Sequence, residues 1–427
     1  MKRSRPLLSF ALAAASTGAY ANGLAINEQN ASAMGTAFAG RASSALDAST
    51  LYGNPAGMSR LTRREVSGGL ALIDADSSIE GDPRNTADGT LDGDMVPNIR
   101  VPFGFVTTPL NERWHAGFGI YVPFGLLDDY EDSFVGRYYA QRSSVRVVTL
   151  QPTLSYRIND RVSVGFGPTI NRIDGELTND LNFVVNDAEV KIEGDDMGYG
   201  YTLGVLVDVT PALAWGLTYR SKVDYTLKGH TRVSGVPALV PGLDALNGRY
   251  RASLDFTTPE SVDSSISWQV SPRWTLHAGA TWTRWSRLES IRVENDGVPL
   301  PLFATVEEDM DWRDTWAYAI GAAYQLDERW VLRGGLAFDE SPTRDAVRTA
   351  RVPVADRRVL ALGFGWSPTP ELTVDVAYAY IDEKDARVSQ APTTVSLGGP
   401  TLDLQPGYYA EYDNRIQVLS AQLTYRF

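Results

Sequence analysis

The chain has 427 residues, a formal net charge of −13, a mean hydropathy of −0.19 and no cysteine. So acidic a chain is a poor candidate for nucleic acid or anionic lipid surfaces, and without cysteine it holds neither a disulfide framework nor a thiolate metal site. No mature segment supplies about 18 consecutive apolar residues, which excludes transmembrane helices and leaves a membrane β-barrel open, since only alternate strand residues face lipid.

In chain order, Lys2, Arg3 and Arg5 precede the short apolar run PLLSFALAAAS, and Ala19-Tyr20-Ala21 supplies small residues at a cleavage site. This predicts a signal peptide over 1–21 and a mature chain of charge −16 beginning at Asn22. The run is too short for a membrane-spanning helix of about 20 residues; an uncleaved anchor is the alternative.

Residues 22–61 are rich in Ala, Gly and Ser and suit neither a long helix nor a strand. Within them, Asn54-Pro55-Ala56-Gly57 predicts a sharp turn, with Pro55 pushing Asn54 out of the helical region and Gly57 free to take positive φ. On residues alone, the block is either a plug inside a barrel or a periplasmic linker or partner-binding arm.

From residue 62 to 427 the pattern predicts fourteen strands, centred from Leu70 to Leu419. In the last, Leu419, Ala421, Leu423, Tyr425 and Phe427 alternate with Ser420, Gln422, Thr424 and Arg426, one face apolar and one polar. Trp316, Tyr318, Ile320 and Leu360, Leu362, Phe364, Trp366 repeat this upstream. Short Asn, Asp, Pro and Ser turns alternate with seven long polar connections, roughly 77–93, 126–142, 175–197, 229–249, 294–311, 340–355 and 382–413. That alternation is expected of an all-β, fourteen-stranded antiparallel transmembrane β-barrel, and not of a soluble sandwich or propeller. A lumen that wide is not filled by its own side chains, which gives the N-terminal block room as a plug.

The block resembles the hatch of the FadL/TodX family of outer-membrane transporters of long-chain fatty acids and other hydrophobic compounds. Gly35, Ala37, Gly40 and Asp47, followed by Asn54-Pro55-Ala56, match its spacing. The stretches GIYVPFGL, VGRYYA, LTYRSKVDYTLKG, TWTRWSRL and WRDTWAYAIGAAYQLDERWVLRGGLAFDESP look like family blocks in family order. The resemblance implies a fourteen-stranded barrel with an N-terminal hatch.

It also implies candidate sites. Tyr121–Gly125 lies at the outer end of the third strand, where Pro123 and Gly125 simply end the strand on a bland reading. By resemblance, a kink at Pro123, Phe124 and Gly125 opens a lateral gate through which a lipophile leaves into the membrane. Arg292 aligns with a basic residue of the interior pocket, where it would pair with a carboxylate; the alternative is an exposed loop arginine. A second basic position of the family falls near Asn179, which is not basic. The loops 175–197 and 229–249 correspond to an outer capture groove, and VSGVPALVPGLDAL in the second is apolar enough for binding or for packing on its neighbour.

No catalytic constellation is evident: His115, His230 and His277 fall in separate elements with no accompanying motif, so neither an enzyme nor a metal or cofactor site is expected. The expected partners are fatty acids or aromatic hydrocarbons, outer-membrane lipid and the barrel-assembly machinery, with no nucleic acid. The competing functions are a water-filled porin for small polar solutes and a surface adhesin or structural barrel.

The terminal aromatic and alternating strands predict an outer-membrane barrel whose gel mobility changes on boiling, and deletion of Phe427 should impair its assembly. Recovery of a soluble periplasmic monomer with full far-UV β signal would overturn this.

Overall fold

The computed structural model describes residues 23–238, 243–396 and 401–427, so the expected signal peptide lies outside the described residues. Strands 1 to 6 are Glu65–Gly81, Ile99–Pro109, Trp114–Asp129, Arg142–Arg157, Val162–Asn182 and Asp187–Thr210. Strand 7 is Leu213–Arg220 continued as Val223–Ser234, and strand 8 is Gly248–Thr258 continued as Ser261–Gln269. Strand 9 is Trp274–Thr283 continued as Ser290–Asp296, and strand 10 is Thr305–Asp309 continued as Thr315–Gln325. Strands 11 and 12 are Trp330–Asp339 and Arg357–Trp366, strand 13 is Leu372–Glu383 continued as Ala386–Gln390, and strand 14 is Tyr408–Arg426.

Each strand pairs antiparallel with its neighbours, and strand 14 pairs with strand 1 from Glu65↔Arg426 to Gly81↔Ala410, closing the barrel. Closure removes the free edges that hydrocarbon does not tolerate. The short turns follow the expected chemistry: Asn111, Asn159 and Asp327 each accept two backbone N–H groups at 2.8–2.9 Å across the turn.

Several long connections are shorter than the sequence suggests. Strands 5 and 6 pair out to Asn182↔Asp187, so the expected loop 175–197 is mostly ladder. Four more reduce to 130–141, 235–247, 297–304 and 391–407, the last carrying the small hairpin Thr393–Ser396 with Thr401–Gln405. The reason is an inversion of polarity along the strands, clearest in strands 14 and 1. Low on strand 14, Leu419, Leu423 and Tyr425 face out and Ser420, Gln422 and Thr424 are buried inward. Higher up, Ile416, Val418 and Tyr412 are buried inward, while Glu411, Asp413 and Arg415 lie on the other face. Strand 1 inverts between Leu72, which is exposed, and Ile73, which is buried. Above the inversion the outward residues are charged, and that polar alternation resembles a loop in sequence.

Residues 23–61 lie within the lower tier as two one-turn helices, Ala31–Met34 and Thr50–Gly53, and a 3-10 turn, Pro55–Arg60. Asn54 caps that turn in an extended conformation, as the proline requires, and its side chain accepts from Ala56 N at 3.0 Å. Its amide also donates to Ala42 O at 2.6 Å and to Val205 O of strand 6 at 2.9 Å. Asp47 is buried, accepting from Ser32 Oγ at 2.7 Å and Ser49 N at 2.8 Å. Gly57 does not use positive φ; it is needed for space, because a Cβ there would lie 2.2 Å from Thr50 Oγ1. The left-handed non-glycine residues of the segment are Ala37 and Phe38, at φ 51° and 62°, conformations that L-residues hold at a cost of about 1–3 kcal/mol.

Glycines of the inner wall seat this segment. A Cβ at Gly216 would lie 1.8 Å from Ala42 O, and one at Gly335 would lie 2.2 Å from the Thr36 carbonyl carbon. Gly40 meets the wall from the other side, its Cβ position falling 2.4 Å from His277 Nδ1.

Substituting Gly216→Val should therefore dislodge the N-terminal segment while the ladder stays closed. The expected outcome is a boil-sensitive barrel whose segment 23–61 is cleaved more readily by protease and whose planar-bilayer conductance rises. Unchanged conductance and cleavage would show that the segment does not depend on this seat.

Candidate functional site

Pro123 has no N–H to give a ladder, and strand 3 breaks its pairing around it. Strands 2 and 3 pair from Pro109↔His115 up to Gly104↔Ile120 and no further. On its other edge, strand 3 stays with strand 4 but shifts register between Tyr121 and Phe124. Strand 2 meanwhile continues along strand 1 to Ile73↔Ile99. The result is a window between strands 2 and 3, bounded below by Ile120 and above by Asp129 N donating to Met95 O at 2.7 Å.

The exposed edge of strand 3 is covered by the chain's own N-terminus. Ile26 N–H donates to Pro123 O at 2.8 Å, and Gly125 N–H donates to Leu24 O at 2.9 Å, making an antiparallel bridge between Ala25 and Phe124. Gln29 closes both groups of Val122, donating to its carbonyl at 2.6 Å and accepting from its N–H at 3.2 Å. Gly23 turns the chain into this position at φ 66°, wedged against Trp312, Trp285 and Pro342. A Cβ at Gly125 would lie 2.8 Å from Ile26 Cδ1, so a larger residue here has to push that side chain aside.

Above Leu24 lies a chamber in the upper tier, where the inner face is apolar. Leu24, Leu126, Ile173, Leu227, Phe256, Leu288, Met310 and Trp312 line it, and about 60 Å³ is unfilled. Small-molecule sites typically offer about 300–1,000 Å³, so a ligand must displace side chains to enter, and the chamber is closed in this state. An outer groove of about 600 Å³, lined among others by Tyr139, Leu181, Val190, Val233 and Phe303, adjoins it; Ile192 and Arg351 border both. Its roof is a cluster of loop residues in which Val236, Leu243 and Leu246 pack on Leu181, Phe183 and Leu404. Burial holds the Tyr130 phenol beside this region well above the usual tyrosine range, keeping its hydroxyl a donor to Ala350 O at 2.8 Å.

Arg292 does not reach the chamber. Its neighbour Val293 does, and Arg292 lies on the exposed face with Glu294 at 3.7 Å and Glu307 at 3.9 Å. The cation bordering the chamber is Arg351, from the connection between strands 11 and 12. It is paired with Glu308 at 3.1 Å and donates to Asn179 Oδ1 at 3.2 Å, so the non-basic Asn179 meets a cation from elsewhere. Sequence reasoning missed Arg351, which no local pattern singles out. It also missed Arg41, which is buried and holds Asp263 of strand 8 at 2.6 Å and Asn27 at 2.8 Å. The three histidines remain apart, and no group of three or more His, Asp or Glu side chains able to hold a metal occurs among the described residues.

A family model described as outer membrane protein transport protein (OMPP1/FadL/TodX) matches residues 12–427. The chain is 26% identical to a long-chain fatty acid transport protein of Escherichia coli O6:H1, covering 91% of this chain and 93% of that one. It is also 26% identical to outer membrane protein P1 of Haemophilus influenzae, covering 96% of each. Among solved structures, a Pseudomonas aeruginosa FadL homologue superposes with a TM-score of 0.83 at 25% identity, over 95% of this chain and 100% of that one. The Pseudomonas putida toluene transporter TodX shares the fold, with a TM-score of 0.68 at 14% identity over 96% and 99% of the two chains.

The buried Arg41–Asp263 pair ties the N-terminal segment to the wall, and breaking such a pair typically costs about 3–5 kcal/mol. Asp263→Asn should raise amide exchange across residues 24–47 and leave the protection of strands 1 and 14 unchanged. Equal exchange in wild type and variant would remove the pair as an anchor.

Proposed function

This chain belongs to the OMPP1/FadL/TodX family of outer-membrane transport proteins, and on that premise we propose that it carries long-chain fatty acids or comparable lipophiles from the outer groove to a lateral exit. At the coarser level it is an outer-membrane channel for hydrophobic compounds and not an enzyme. The observation that carries the finer reading is the window between strands 2 and 3, stopped by Leu24, Ala25 and Ile26 at the foot of an apolar chamber.

In this reading a ligand collects in the outer groove, passes Ile192 and Arg351, and pushes into the chamber. Displacing Leu24 breaks the bridge to strand 3 and joins the chamber to the window. The residues Gly35, Gly40, Asp47, Asn54, Pro55 and Ala56 hold the remainder of the hatch against the wall meanwhile. Lateral release suits the cargo: each methylene kept out of water is worth about 0.8 kcal/mol, so a long chain favours hydrocarbon over the periplasm. No nucleotide motif is needed for movement down a gradient. The outward Phe427 at the barrel's end is the proposed signal for the assembly machinery.

A second cargo class has its own support. Arg351 is already paired with Glu308, and Arg292 faces outward, so among the described residues the chamber offers no unpaired cation for a carboxylate. This favours neutral lipophiles, such as aromatic hydrocarbons, entering by the same route.

The double variant Pro123→Val with Gly125→Val restores a ladder donor, introduces strand formers and displaces Ile26. Uptake should fall sharply while binding at the outer groove changes little, and the defect should grow with chain length. Comparing an alkane with the fatty acid of equal length separates the two cargo classes. Normal uptake at every length by an assembled variant would exclude the lateral route and favour an axial path.

A further inference from the structure

The outer wall of strands 4 to 7 changes character over a short height. One rung, Leu150↔Ile170↔Tyr199, is apolar and outward; two rungs higher, Arg146, Asp174, Asp195 and Lys228 lie side by side. Four residues of strand span about 13 Å, which places the charged rung at the headgroup layer directly above the hydrocarbon. Here the wall carries a depression of about 490 Å³, in which Arg142, Arg146 and Lys228 stand among the carboxylates of Asp174, Glu176, Glu193 and Asp195. Gly175, Gly194 and Gly229 lie in register across strands 5, 6 and 7 and line it too. At Gly229 a Cβ would stand 1.8 Å from Glu193 O, so the wall there is bare backbone.

The charges are unevenly committed. Arg142 is held by Asp129 at 2.5 Å and lies 3.4 Å from Glu176, and Arg146 lies 3.5 Å from Asp174, whereas no ion pair to Lys228 occurs among the described residues, and its side chain is exposed. The net charge of −13 opposes general adsorption to anionic surfaces, so any anion recognised here is recognised locally, by these three cations. Arg146 and Lys228 are three strand spacings apart, about 14 Å, wide enough for a disaccharide bearing phosphates. The carboxylates between them accept hydrogen bonds from sugar hydroxyls, and arginine grips phosphate with two parallel bonds.

We propose that this depression binds a phosphorylated glycolipid of the outer leaflet. Its phosphates meet Arg142, Arg146 and Lys228, its sugars lie over the glycine row, and its acyl chains run down past Ile170 and Tyr199. The site adjoins the upper arm of strand 3 through Leu127, on the side away from the window.

The test uses the full-length barrel, delipidated in detergent and titrated with a bisphosphorylated glucosamine-disaccharide lipid by native mass spectrometry. Parallel arms use the dephosphorylated lipid, phosphatidylglycerol and inorganic phosphate. The variant Arg142→Gln/Arg146→Gln/Lys228→Gln is compared with Arg358→Gln/Arg387→Gln/Arg415→Gln on the opposite wall. The expected result is binding of the phosphorylated glycolipid alone, weakened at least tenfold in the first triple variant and unchanged in the second, with both barrels still boil-sensitive. Equal loss in both variants, retention in the first, or equal binding of phosphatidylglycerol or of phosphate alone would overturn the proposal.

Discussion

Each strand of this barrel passes from a hydrocarbon exterior to an aqueous one, and the side on which its apolar residues are useful reverses at that point. Below it, burial outward is in lipid, so the interior is mostly Ser, Thr, Gln and Gly, with one apolar patch where Phe103, Phe105 and Tyr121 pack on Leu51, Tyr52 and Met58 of the N-terminal segment. Above it, water lies outside and burial is available only inward, so the interior becomes Leu, Ile, Val and Phe. The polar lower interior is where a compact segment of chain with many backbone groups is accommodated through hydrogen bonds and glycine contacts. The apolar upper interior is chemically suited to a lipophile. The two meet at the level of Leu24, which is apolar and yet belongs to the lower segment.

At that same level the wall is open. A strand edge within a membrane leaves N–H and C=O groups unpaired, at several kcal/mol each. Strand 3 avoids this because Leu24, Ile26 and Gln29 supply the partners that strand 2 does not. The segment that fills the window and the missing strand partner are thus one object, and removing it would expose both the window and the edge. On the proposed lateral route, opening would therefore need a compensating gain, such as ligand burial.

Much of this was legible in sequence. Period-2 alternation marks the fourteen strands, and the Asn and Asp side chains of the short turns announce themselves. Asn54 before Pro55 takes the extended conformation its neighbour dictates. The upper tier was hidden because outward charge resembles a loop; the inversion is written as adjacent apolar residues, Leu72-Ile73 and Val418-Leu419, that interrupt the alternation. Arg292 could have been placed by counting: it shares parity with Trp282 of its strand, and Val293 with the inward Thr283. Arg351 and the bridge to Phe124 arise from contacts between distant segments, which no local pattern encodes.

The interruptions of strands 7, 8, 10 and 13 carry a consequence for how such a molecule changes over time. Below Ser221-Lys222, Arg220 pairs with Thr202, and above it Lys228 pairs with Asp195. Strand 7 advances eight residues where strand 6 advances seven, and odd-numbered outward positions give way to even-numbered ones. A one-residue slip ordinarily turns every side chain to the wrong face; here it is absorbed between the tiers. Insertions and deletions above the break therefore leave the lipid-facing register intact. The tier that meets the outside world is free to diversify in length and sequence while the tier within the membrane stays fixed.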